Sequence, residues 1–157
     1  MRSVYGIGLP RTGTASLAEA LNLIGEPTKH YCVVHDDMSK CHDDIISWVD
    51  NSFYRYLHQI ILKPIPNSLF ILTTRDLNSW KKSIARFPEM PSDLPPVNEY
   101  EKSVRQIFQQ LKMQDQLLVI NIFEDPDSLK KIVKFIGSEY KKTKFPHIKK
   151  EKVQVVV

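Results

Sequence analysis

The segment Val4-Tyr5-Gly6-Ile7-Gly8-Leu9-Pro10-Arg11-Thr12-Gly13-Thr14-Ala15-Ser16-Leu17 constrains the fold more than any other part of the chain. Its first residues are apolar and β-prone, and its middle is bounded by glycines. From Leu17 onward, Leu17, Ala20, Leu21 and Ile24 recur at helical spacing until Gly25 stands where a C-terminal cap would. A strand, a glycine-bounded turn and a helix over 13–24 therefore follow one another without a break. That order gathers backbone N–H groups at the positive end of a helix dipole, which is a cradle for an anion such as phosphate. A plain Gly/Pro turn joining a strand to a helix is the alternative.

The remainder of the chain supplies the partners this unit needs. Strands are expected near 3–8, 29–34, 45–50, 68–74 and 117–122, the most apolar being Ser68-Leu69-Phe70-Ile71-Leu72-Thr73-Thr74. Helices are expected over Phe53 to Leu62, from Asp76 through Trp80 and Ser83, around Tyr100, Val104, Ile107, Phe108 and Leu111, and from Asp125-Pro126 to Gly137. Phe87 to Pro96, with Pro88, Pro91, Pro95 and Pro96, cannot be regular helix or inner strand and reads as a loop suited to covering an acceptor. Strand–helix alternation with right-handed crossovers implies an α/β fold with a mainly parallel sheet of about five strands flanked by helices on both faces.

Bulk properties narrow the class. At 157 residues the chain fits one domain, 1–157, since domains of about 100–150 residues are the commonest size. Its longest apolar runs, Leu69 to Leu72 and Leu117 to Ile120, fall far short of the ~20 residues that span a bilayer, so a soluble, cytoplasmic protein is expected. Cys32 and Cys41 have no C-x-x-C spacing, which supports neither a zinc site nor a disulfide framework. His35, Asp36, Asp37, His42 and Asp43 are metal-capable but lack a ligand spacing, and read as a solvated acidic turn. The net charge of +4 lies wholly in the tail at about 138–157, where six Lys face two Glu. Such a tail attracts nucleic acid or acidic lipid, helps hold a ligand with several phosphates, or solubilises the chain; no nucleic-acid partner is expected from it.

Gly8-x4-Gly13 has the spacing of a P-loop, yet Thr14 and Ala15 follow where an ATP-binding loop carries Lys and then Ser or Thr. The cation sits inside the loop instead, as Arg11. Pro10-Arg11-Thr12-Gly13-Thr14 resembles the 5′-phosphosulfate loop of sulfotransferases, in which Lys or Arg and then Gly-Thr hold the donor 3′-phosphoadenosine-5′-phosphosulfate. Arg75, at the end of a strand, and Ser83, eight residues on, resemble the 3′-phosphate pair of the same enzymes: an Arg fork gives a charge-assisted grip on phosphate and the Ser adds a neutral donor. Asp50-Asn51-Ser52-Phe53-Tyr54 looks like the segment bearing their general base, with Asp50 at the base position; an Asp capping the next helix is the bland reading, and the two roles can coexist. His30 and His35 are the reserve bases.

Gly8 to Ser16, Thr74-Arg75-Asp76, Trp80 to Ser83 and Phe145-Pro146-His147 appear in the order seen in a broad P-loop sulfotransferase family of bacteria and eukaryotes, and the resemblance spans residues 4 to about 150. It implies a three-layer P-loop NTPase-like fold. It also implies a donor site of Pro10, Arg11, Thr12, Gly13, Thr14, Ala15, Ser16, Arg75 and Ser83, catalytic roles for Asp50 and Arg11, no metal, and a small-molecule or glycan acceptor. Three departures stand out: Ala15 replaces the second Thr of Gly-Thr-Thr, Asn51 stands where the glycosaminoglycan-type enzymes have Lys, and the Arg-Lys-Gly segment of the cytosolic enzymes is absent. A non-catalytic nucleotide-binding protein of the same build, and an ATP- or GTP-dependent kinase or NTPase, are the competing expectations.

Overall fold

Alternation along each strand decides how the layers form. In the computed structural model, which describes residues 3–31, 47–62 and 67–139, Val4 and Tyr5 of β1 (Val4–Gly6) turn to opposite faces of one sheet, as do Trp48 and Val49 of β3 (Ser47–Val49) and Phe70 and Ile71 of β4 (Leu69–Thr73). Both faces are apolar, as a sheet covered on both sides requires. Adding β2 (Thr28–His30) and β5 (Leu117–Ile120) gives the order β2-β3-β1-β4-β5, with every neighbouring pair parallel.

The helices divide between two cores. Tyr5, Trp48, Phe70 and Leu72 pack under α2 (Leu57–Ile61), α3 (Leu77–Ala85) and α4 (Val97–Gln110), through Leu57, Ile60, Trp80, Tyr100, Val104 and Phe108. Val4, Val49 and Ile71 pack under α1 (Thr14–Leu23) and α5 (Ser128–Ile136), through Leu17, Leu21, Leu129 and Ile132. The result is helix, sheet, helix. Tyr5 anchors the first core, stacked on Phe70 at 5.6 Å and edge-on to Phe53 at 6.1 Å.

Each expected strand is present and shorter than anticipated. The strand expected over 29–34 ends at His30, because Tyr31 turns away with φ 69°; residues 32–34 lie outside the described segments. The single helix expected from Phe53 to Leu62 is broken at Tyr56 (φ −124°) into one 3₁₀ turn, Phe53–Arg55, and α2. α4 begins at Val97, directly after the expected proline loop: Pro96 supplies the extended N-cap, and Val97 is already buried. Cys32, Cys41, the acidic turn at 35–43, Phe145-Pro146-His147 and most of the basic tail also fall outside the described segments.

Topology sets β1 and β4 apart from the other neighbours. β1 and β4 are neighbours, yet α1 leaves β1 toward one face while α3 leaves β4 toward the other. Chain connections that part in this way open a gap at the carboxyl ends of the strands, where open α/β sheets take their ligands. The loop from Ile7 to Gly13 lies there. Its root is fixed by Tyr100, whose buried hydroxyl donates to the Ile7 carbonyl at 2.7 Å. Replacing Tyr100→Phe leaves that carbonyl buried without a donor and is expected to cost about 1–3 kcal/mol. Urea unfolding, with the slope unchanged, measures the loss.

Candidate functional site

Two glycines allow the β1–α1 loop to take its path. At Gly8 a Cβ would stand 2.0 Å from Thr73 Oγ1, so the backbone passes against β4 where no side chain fits. Gly13 combines φ 94° with a would-be Cβ 2.2 Å from Ile122 Cδ1, which excludes L side chains on both counts. Arg11 is itself left-handed at φ 67°, so left-handed residues flank Thr12 on both sides. Backbones of this alternating kind form concave nests of N–H groups. The first-turn amides of α1, Thr14, Ala15 and Ser16, extend the nest, since a helix offers them no internal acceptor.

Side-chain donors grip the loop from below. Trp80 Nε1 donates to the Pro10 carbonyl at 2.9 Å, and Thr12 Oγ1 donates to the Leu9 carbonyl at 2.7 Å. The same Thr12 hydroxyl meets Thr73 Oγ1 at 2.7 Å. Thr12 is fully buried and its hydroxyl is spent inside the protein.

Above the loop the distant candidates meet. Arg11 Nε donates to Ser83 Oγ at 2.9 Å, across 72 residues of sequence, and Arg75 Nη1 donates to the Arg11 carbonyl at 3.1 Å. Each guanidinium lies over a phenyl ring, Arg11 over Phe87 at 4.2 Å and Arg75 over Phe123 at 4.1 Å. Among the described residues neither arginine belongs to an ion pair. Asp76, the acid next to Arg75, spends its carboxylate on the α3 N-cap, accepting from the Ser79 N–H at 3.0 Å. Burial foremost, then Arg75 and Arg86, lowers the Arg11 pKa; burial, then Arg86, lowers that of Arg75. Both remain cations, since a guanidinium is not deprotonated in proteins. Half-buried positive charges without acids are unfavourable alone and favourable beside an anion.

Asp50 ends β3 beside the loop, its N–H directed to the Gly6 carbonyl at 3.4 Å. It is buried, and Oδ1 accepts from the Ser52 N–H at 2.9 Å and the Ser52 hydroxyl at 2.6 Å. Its side chain thus holds Ser52, the N-cap residue of the Phe53–Arg55 turn, and does not itself cap a helix. Across from it stands Tyr31, exposed and left-handed, its ring stacked on His30 at 3.8 Å and its N–H bonded to the Val49 carbonyl at 2.8 Å. Burial and the Asp50 carboxylate raise the Tyr31 phenol, while Asn51 and Arg11 oppose them.

Tyr31, Phe87, Phe123 and Arg86 were not among the residues singled out by sequence. An i,i+3 pairing of Ser83 with Arg86 was readable in α3; the two phenyl platforms follow no pattern, because they depend on where loops after α3 and β5 come to rest. The segment carrying Phe87 is held by Asp93, which accepts from Arg55 Nε and Nη2 at 3.0 and 2.8 Å and from the Tyr54 hydroxyl at 2.8 Å. Comparison of the chain with protein-family models finds no family that matches, and comparison with curated proteins finds no relative. Among the described residues no helix is long and apolar enough to cross a membrane.

The Asp93 clamp gives an acid-limb expectation. Its hydrogen bonds from Arg55 and Tyr54 push the carboxyl down to about 2. A depressed folded-state pKa means that the clamp stabilises fully above the ordinary 3.8 and fades as pH falls through about 2. Thermal melts of wild type and Asp93→Asn are therefore expected to differ at pH 6 and to converge near pH 2.

Proposed function

We propose that the chain binds 3′-phosphoadenosine-5′-phosphosulfate on its β1–α1 loop and transfers the sulfuryl group to a hydroxyl or amine of a small-molecule or glycan acceptor. One observation carries the reading: Arg11 from the loop and the pair Arg75 and Ser83, taken as ligands from two separate stretches of sequence, are joined by direct hydrogen bonds. In this reading the loop has the role of a P-loop. The amides from Thr12 to Ser16 and the Arg11 guanidinium surround the 5′-phosphosulfate, with Pro10 and Gly13 giving the loop its bend and Ala15 its close approach. Arg75 and Ser83 serve the 3′-phosphate.

Transfer requires the acceptor oxygen or nitrogen to form a bond to sulfur as the bridging S–O bond breaks, with 3′,5′-adenosine bisphosphate leaving. Negative charge grows on that bridging oxygen, where fixed amides and a guanidinium lower the barrier most. Asp50, at the end of the strand beside the loop, takes the acceptor proton. The chemistry needs no metal. The second reading, a non-catalytic protein binding the same nucleotide, is favoured by one observation: Asp50 Oδ1 is engaged by Ser52 as a turn-forming group.

Calorimetric titration with 3′,5′-adenosine bisphosphate, beside ATP with Mg²⁺, tests the donor site. Binding of the bisphosphate is expected, weakened in Arg75→Ala by about 1.5–3 kcal/mol, the loss of a charged hydrogen bond. Tight binding of ATP with Mg²⁺ and none of the bisphosphate would overturn the reading in favour of a kinase or NTPase. Release of sulfate or sulfated acceptor from the donor by wild type, and its loss in Asp50→Asn with nucleotide binding kept, separates the enzyme from the silent binder.

A further inference from the structure

We propose that Arg86 is a third anion-binding residue, which closes over the outer phosphate of a ligand held by Arg11, Arg75 and Ser83. The proposal rests on the donor-site reading above and adds to it a residue outside the family motif. Arg86 caps the C-terminal end of α3, its N–H bonded to the Ser83 carbonyl at 3.2 Å. Residues three apart share a helix face, so Arg86 projects from the Ser83 side. Its neighbour Phe87 is the ring on which Arg11 lies, which anchors the backbone of Arg86 at the rim of the same site.

Chemistry agrees with placement. Arg86 is exposed, and among the described residues it has no acidic partner to neutralise it. Its field reaches both inner guanidiniums and disfavours their charge. Asp76, facing Arg75, and Tyr31, facing Arg11, are the groups that oppose it. Three cations gathered with no acid paired to any of them destabilise the free protein and suit a ligand with two separate anionic groups, one on the loop amides and one outside. A mononucleotide with a single phosphate leaves part of that charge unanswered. Arg86, on a flexible side chain in water, is free to swing onto the outer group.

The test compares wild type, Arg86→Gln and Lys81→Gln by titration with 3′,5′-adenosine bisphosphate and with 5′-AMP, alongside thermal melts. Lys81 is exposed two residues from Ser83 and thus on the opposite side of α3, so its removal changes net charge equally without touching the site. Arg86→Gln is expected to weaken the bisphosphate by about tenfold, the effect of one charge-assisted hydrogen bond, and to leave 5′-AMP nearly unchanged. Its melting temperature should hold or rise, because repulsion is relieved; a merely structural residue would lower it. Lys81→Gln should change neither affinity.

Equal weakening by both variants would show a general field and overturn the proposal. So would unchanged bisphosphate affinity in Arg86→Gln while Arg75→Ala loses binding, an outcome that leaves the donor-site reading standing. Failure of wild type to bind the bisphosphate overturns both.

Discussion

Everything at the carboxyl end of the sheet depends on the hydrogen bonds made to the carbonyls of one loop. Tyr100 from α4 takes Ile7, Trp80 from α3 takes Pro10, Thr12 takes Leu9, and Arg75 from the end of β4 takes Arg11. A loop rich in buried carbonyls would otherwise be costly, since each unsatisfied group forfeits about 1–3 kcal/mol. With four donors it becomes a rigid shelf between the two helical layers. Two of those donors, Trp80 and Tyr100, come from the same core, on the α3 and α4 side of the sheet.

The electrostatic design follows from that shelf. Arg11 and Arg75 are pulled inward by hydrogen bonds to the loop and to α3, and each is backed by an aromatic ring instead of a carboxylate. The ring face offers weak attraction without neutralising the charge. Nearby acids are occupied elsewhere, Asp76 on a helix N-cap and Asp50 on the Ser52 turn. Positive charge is therefore held where the backbone also presents the first-turn N–H groups of α1.

How much of this was legible in the sequence depends on range. The five strands and most helix boundaries are local matters of apolar runs, prolines and glycine stops, and they lie where pattern places them. Gly8 and Gly13 announced a turn, and the close approaches to Thr73 and Ile122 supply the reason. Short-range surprises have local causes: Tyr31 cuts β2 short and Tyr56 splits a helix. The site is different. Arg11 and Ser83 were each named, yet their direct bond is a product of the β1–β4 pairing, and nothing local to residues 11 or 83 encodes it. Phe87 and Phe123 sit in irregular segments, where spacing carries no information about which cation a ring will meet.

The central claim is that the loop amides and the two ring-backed arginines form one anion site, and a titration of ¹⁵N-labelled protein with 3′,5′-adenosine bisphosphate tests it most directly. Concerted shifts of the Thr12 to Ser16 amides and of the Arg11 and Arg75 Nε–H signals, saturating at one concentration, are expected. Shifts confined to other parts of the fold, or amide shifts without either arginine, would contradict it.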